Sequence, residues 1–194
     1  MQPDPVPAPA LRMSLPEFLA WNSPGDARYE LFGGEPVMMA PPKVQHAVIA
    51  DNVAGFLRPR LRPPCQVMQG VGVLLDRETE DYFEADLAVS CEPRRTGQQH
   101  LEAPRLIVEL ISLSTRNRDL GTKLDRYREL ASVEEVLLVS STERRVTHWR
   151  REGDHWRVQD HIGKGSVTLA VAEGALNLDA VYAGVGFEPE EGGP

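Results

Sequence analysis

The chain has little of several things that would settle its class at once. Only Cys65 and Cys91 occur in 194 residues. Two cysteines make neither a disulfide framework nor a zinc site, and a reducing cytoplasm fits that usage. No apolar run approaches the roughly 18 residues that a bilayer-spanning helix needs, so no membrane attachment is expected. Met1-Gln2-Pro3-Asp4-Pro5 lacks a basic region followed by an apolar stretch, which argues against a signal peptide. An excess of positive charge is missing too. The net charge of -8 argues against a protein that coats DNA nonspecifically. It does not exclude a nuclease, because clustered metal-binding carboxylates make such a site acidic. The charge is uneven: residues 116–151 hold nine Arg and Lys against six Asp and Glu, a local balance of +3. A solvated surface or a side facing phosphate would read the same way.

The length favours one domain with a full core. Residues 1–10, rich in proline and alanine, read as a disordered tail, and residues 188–194 as a mobile acidic one. The single domain is expected over 11–187. Ser14-Leu15-Pro16-Glu17 is a capping box and predicts a short helix to about Trp21. Gly33-Gly34 predicts the turn of a hairpin between Tyr29-Glu30-Leu31 and Pro36-Val37-Met38-Met39. A helix is expected from about Lys43 to Arg58, with Ile49, Val53, Phe56 and Leu57 as its apolar stripe. Two strands are expected next, 65–69 and 71–75, then a charged turn from Asp76 to Asp81. A strand holding Asp86, a polar loop over 92–104 and a strand holding Glu109 follow. Leu120, Leu124, Tyr127 and Ala131 predict a helix over 118–130. Glu135–Val139 reads as a strand. An antiparallel meander ends near Leu169, and a last short helix starts near Leu176. The order gives an α/β core, with a right-handed crossover and a parallel strand pair over 105–139.

Asp86 and Glu109 stand inside apolar strand segments, Glu84–Ser90 and Leu106–Ser112. A charge there is costly unless it is paired, hydrogen-bonded or metal-bound. Neighbouring strands can bring the two acids together, and two carboxylates at close range repel each other and invite a cation. Mg²⁺ prefers oxygen ligands and keeps several waters, so two carboxylates and a substrate phosphate suit it. Lys123, on the following helix, would position or deprotonate the attacking water, or neutralise developing charge. Asp119, four residues earlier, offers Lys123 an ordinary helix-surface pair instead.

Several stretches in this order resemble the Uma-two family of putative restriction endonucleases, within the PD-(D/E)xK nuclease superfamily. They are Tyr29–Glu35; Met39–Pro42 with His46 opening a helix; Ala85–Val89; Ala103–Ser112 with Ser114-Thr115; and Arg118–Tyr127. The resemblance covers roughly residues 14–150. It implies a restriction-endonuclease-like core, a mixed β-sheet flanked by helices, followed here by the antiparallel meander. It implies Asp86 and Glu109 as metal-binding acids, the backbone carbonyl of Leu110 as a further ligand, and Lys123 as the catalytic lysine. The lysine usually found two residues after the second acid is replaced by Ile111. Glu30 and His46 match motif positions near the site. Ala85 stands where a proline is usual before the aspartate, and Leu113 where one is common between two serines. Ser112, Ser114 and Thr115 are candidate hydrogen-bond donors or helix caps at the strand–helix junction. Trp149 and Trp156 are expected to pack rather than stack on bases.

The expectation is therefore a Mg²⁺-dependent endodeoxyribonuclease, with Mn²⁺ able to substitute, acting on DNA as a cytoplasmic homodimer. The alternative is a noncatalytic nucleic-acid-binding or regulatory protein that keeps the nuclease fold.

Overall fold

A computed structural model describes residues 11–25, 27–75, 80–112 and 119–187. The two expected tails, the turn residues Asp76–Thr79, and Leu113, Ser114 and Thr115 lie outside these. The described chain forms α1 (Leu15–Ala20), β1 (Tyr29–Phe32), β2 (Glu35–Met38), α2 (Val44–Leu57), β3 (Gln66–Leu74) and β4 (Tyr82–Ser90). After these come β5 (His100–Leu101), β6 (Pro104–Ile111), α3 (Asp119–Glu129) and β7 (Glu135–Ser140). The last elements are β8 (Arg145–Glu152), β9 (His155–Ile162), β10 (Ser166–Thr168), β11 (Ala175–Asn177) and α4 (Leu178–Val181).

Strands β1 to β9 build one mixed sheet, ordered β2-β1-β4-β6-β7-β8-β9, with β3 on β4 and β5 on β3. The crossover through α3 makes β6 and β7 parallel, in register from Leu106↔Glu135 to Ile111↔Ser140. Both strands are buried almost throughout, as the centre of a sheet covered on both faces must be. On one face α2, α4 and the small β10–β11 sheet cover Leu87, Val89, Leu106, Val108 and Leu137. On the other, α3 lays Leu120, Leu124 and Tyr127 over Ile107, Val136 and Leu138. Trp149 and Trp156 pack at the border of this second layer, as expected, with guanidinium groups of Arg128 and Arg151 against their rings.

Three expectations need correction. The two strands 65–69 and 71–75 are one strand, because Gly70 takes a positive φ of 52° and carries the chain through without a break. The meander ends at β9: β10 leaves the large sheet and pairs with β11, which forms from the start of the expected last helix. The loop over 92–104 contributes β5, parallel to β3. The two cysteines, too few for a framework, form one bridge, so their usage no longer points to a reducing compartment. Gln66 pairs with Ser90, so the residues flanking them, Cys65 and Cys91, come opposite each other and are disulfide-linked.

β4 holds the key to the site. Along one edge it pairs over its whole length with β3. Along the other it pairs with β6 only from Leu87 to Ser90, and with β1 only at Tyr82. Its two partners part in between, and Asp86 sits in that fork. A second tie fixes α3 over the fork. Buried Asp81 accepts hydrogen bonds from Gly33 N–H (2.6 Å) and from Arg126 Nε (2.8 Å), joining the β1–β2 turn to the helix.

Candidate active site

All five side chains singled out by the sequence meet at the fork. Asp86 comes from β4, Glu109 from β6, Glu30 from β1, His46 from α2 and Lys123 from α3. Leu87 pairs with Val108, so the residues beyond them, Asp86 and Glu109, flank the point where β4 and β6 separate. Glu30 reaches in from the strand that takes over as the neighbour of β4.

The acids are held differently. Asp86 uses both oxygens: Oδ2 accepts the backbone N–H of Leu110 at 2.7 Å, and Oδ1 lies 2.9 Å from Nε2 of His46. That hydrogen bond lifts the imidazole pKa above its ordinary value, against the effect of burial. Glu109 is buried, and Tyr127 Oη donates to its Oε1 at 2.7 Å, with Lys123 Nζ 3.5 Å from the same atom. Burial pushes the Glu109 carboxyl up to about 8; Lys123 opposes this and Asp86 and Glu30 add to it. Glu30, also buried, accepts Glu84 N–H at 2.8 Å and takes Lys123 Nζ at 2.6 Å.

Lys123 is therefore no surface residue. Burial pulls its pKa down, but Glu109 and Glu30 outweigh it and the net direction is up. The ammonium keeps its charge. Its surface pair with Asp119 is not needed to explain it, and the side chain of Asp119 lies outside the described residues. Tyr127 was legible only as a core position of the helix. Its ring packs edge-on to Phe83 at 6.0 Å between centroids, and its hydroxyl sets the donor for Glu109. The one signal available was its place four residues after Lys123, on the same helix face.

The arrangement can do two things chemically. Asp86 and Glu109 offer oxygen ligands from adjacent strands, with the main chain of Leu110 between them. Lys123 supplies a permanent positive charge beside them. The backbone amide of Leu110 is already committed to Asp86.

Comparison with known proteins identifies the family and the fold. Residues 15–179 match the family Uma2, described as "Putative restriction endonuclease". Two uncharacterized proteins of Synechocystis sp. are similar. One is 26% identical over 183 residues, which is 93% of this chain and 96% of that protein. The other is 25% identical over 159 residues, 79% of this chain and 90% of that protein. A solved structure of a putative nuclease belonging to DUF820 from Anabaena variabilis superposes with a TM-score of 0.69 at 17% identity. It covers 87% of this chain and 97% of its own, which establishes the shared fold.

Proposed function

Since the chain belongs to the Uma2 family of putative restriction endonucleases, we propose that it is a metal-dependent endonuclease that hydrolyses DNA phosphodiester bonds. The observation that carries this is the meeting of Asp86, Glu109 and Lys123 at the β4–β6 fork, two acids and a fixed cation delivered by three elements.

The residues present suit Mg²⁺, or Mn²⁺ in its place. Burial holds Glu109 in a state that a cation would relieve, and Asp86 stands on the neighbouring strand. Among the described residues no three His, Cys, Asp or Glu side chains are placed to hold an ion alone. Asp86, Glu109 and the carbonyl of Leu110 would be the protein's ligands, with water and substrate phosphate as the rest, a division usual for Mg²⁺. When bound, the ion supplies a more acidic water and polarises the scissile phosphate.

The chain's own groups have separable roles. Lys123 acts as a charge rather than a base, since its two carboxylate partners keep it protonated. It stabilises the charge that builds on the phosphate as water adds and the bridging oxygen leaves. Glu30 holds that ammonium in place. Tyr127 fixes one oxygen of Glu109. His46 orients Asp86. A two-fold dimer would present two such sites to the two strands of a duplex.

The test is incubation with plasmid, duplex oligonucleotide and single strands under Mg²⁺, Mn²⁺ and Ca²⁺. Cleavage is expected with the first two and little with Ca²⁺, which binds oxygen but with looser geometry. No cleavage of any substrate under Mn²⁺ would overturn the enzyme and leave a noncatalytic nucleic-acid-binding protein on the same fold.

A further inference from the structure

A second polar cluster lies well away from the fork. A hollow of about 260 Å³ opens over β8 and β9 beside β10, lined among others by His148, Arg150, Arg157, His161, Ser166 and Thr168. It faces the other side of the sheet from Glu109. Glu109 pairs with Leu138, whereas His148 pairs with Leu137, and successive residues of a strand point to opposite faces.

Its base is built rather than incidental. Glu135 is fully buried, and both its oxygens are engaged: Oε2 accepts Ala170 N–H at 2.8 Å, and Oε1 lies 2.9 Å from His148 Nε2. That carboxylate fixes the ring of a nearly buried histidine at the hollow wall, the arrangement that orients imidazoles for ligand contact. His161 also lines the hollow, and its Nε2 is buried with no hydrogen-bond partner among the described residues. Arg150 is exposed and enters no ion pair among the described residues. Glu152 also lines the hollow, but it lies 3.6 Å from Arg157 and 3.7 Å from His155. The lining thus offers the guanidinium of Arg150, the amide of Gln159 and two hydroxyls, while the guanidinium of Arg157 faces Glu152.

We propose that this hollow is a phosphate-binding site, distinct from the candidate active site. Guanidinium groups recognise tetrahedral oxyanions through paired N–H donors, and hydroxyls and imidazoles complete the shell. The volume is just below the roughly 300–1,000 Å³ of drug-sized pockets. It admits a phosphate with a small substituent. The phosphate is either free or the terminal group of a nucleic-acid strand.

The experiment is calorimetric titration of the full chain with three probes: inorganic phosphate, a 5′-phosphorylated oligonucleotide and its 5′-hydroxyl counterpart. Wild type, Arg150→Met, His161→Ala and Glu109→Gln are compared. One phosphate should bind per chain, weakened about tenfold or more by Arg150→Met and by His161→Ala. Glu109→Gln should bind inorganic phosphate, in metal-free buffer, as wild type does, so that result stands apart from the nuclease reading. Preference for the phosphorylated oligonucleotide assigns the site to strand ends; binding of inorganic phosphate without that preference assigns it to the free ion. Failure to bind any phosphate, or binding that Arg150→Met and His161→Ala leave unchanged, overturns the proposal. Melting curves confirm that both variants are folded.

Discussion

Replacing Glu109 by glutamine should stabilise the metal-free protein, increasingly as pH rises from about 5 to 8. The folded carboxyl titrates at about 8, against an ordinary value of 4.5. A carboxyl raised on folding contributes stability that is complete below its unfolded pKa and is lost as pH climbs through the folded one. At pH 8 the cost of keeping Glu109 folded reaches up to about 4 kcal/mol, and at pH 5 it is under about 1 kcal/mol. Lys123 does not distort this window, because its raised pKa confers stability that is present throughout it. Glutamine is neutral at both pH values, and its carbonyl can still accept from Tyr127. Some of the gain is offset, since Lys123 loses one of its two carboxylates and keeps Glu30. A net gain of about 2 kcal/mol at pH 8 is expected, or roughly 4–8 °C in Tm for a chain of this size. The gain should vanish near pH 5. Melts of both proteins at the two pH values measure it. With Mn²⁺ at ten times its dissociation constant the wild type should recover about 1.4 kcal/mol, and the variant almost none. An equal shift at both pH values, or a variant that melts lower at pH 8, would refute the claim that burial of this carboxyl is the strain a cation relieves.

Lys123→Ala should abolish cleavage and cost about 3–5 kcal/mol of stability, since it leaves Glu30 and Glu109 buried without their cation; plasmid nicking and melts at pH 8 separate the two effects, and arginine at 123 should restore much of the stability without the activity. Tyr127→Phe removes a donor to Glu109, so it should cost about 1–2 kcal/mol and move the acid limb of the pH–rate profile to higher pH. Gly72→Ala should lower Tm by several degrees, because a Cβ there would lie 1.7 Å from Tyr82 Oη, an overlap worth about 1–3 kcal/mol or more.

The central fold was legible because its signals are local. Apolar runs around Asp86, Glu109 and Glu135 mark buried strands, and the periodic Leu120, Leu124 and Tyr127 mark the crossover helix between them. The candidate site residues were named through the order of the motifs, and the structure brings all five to one place. What stayed hidden depends on pairing between distant segments. Asp86 and Glu109 look alike in sequence, two acids that repel each other. In the fold Asp86 is satisfied by two donors, while Glu109 is the buried, strained one. That difference arises from the fork, which exists only when β1 and β6 share one edge of β4. The Cys65–Cys91 bridge and the departure of β10 from the meander are likewise matters of register. The Glu135–His148 pair spans two strands, and neither residue has a local pattern that announces it.

The cation of the candidate site stands on a helix, while the acids around it stand on strands. Strands are locked to one another by ladders of backbone hydrogen bonds, whereas among the described residues α3 is held over them through side chains: Leu120, Leu124, the ring of Tyr127, the clasp of Arg126 on Asp81, and the guanidinium of Arg151 on the carbonyl of Arg128. The distance from ammonium to carboxylate is thus the softest dimension of the cluster. A methyl group added or removed beneath α3 would reset it without altering any polar atom. With its lysine on a helix, the cluster has an adjustable gap, which variation in an ordinary hydrophobic layer can tune.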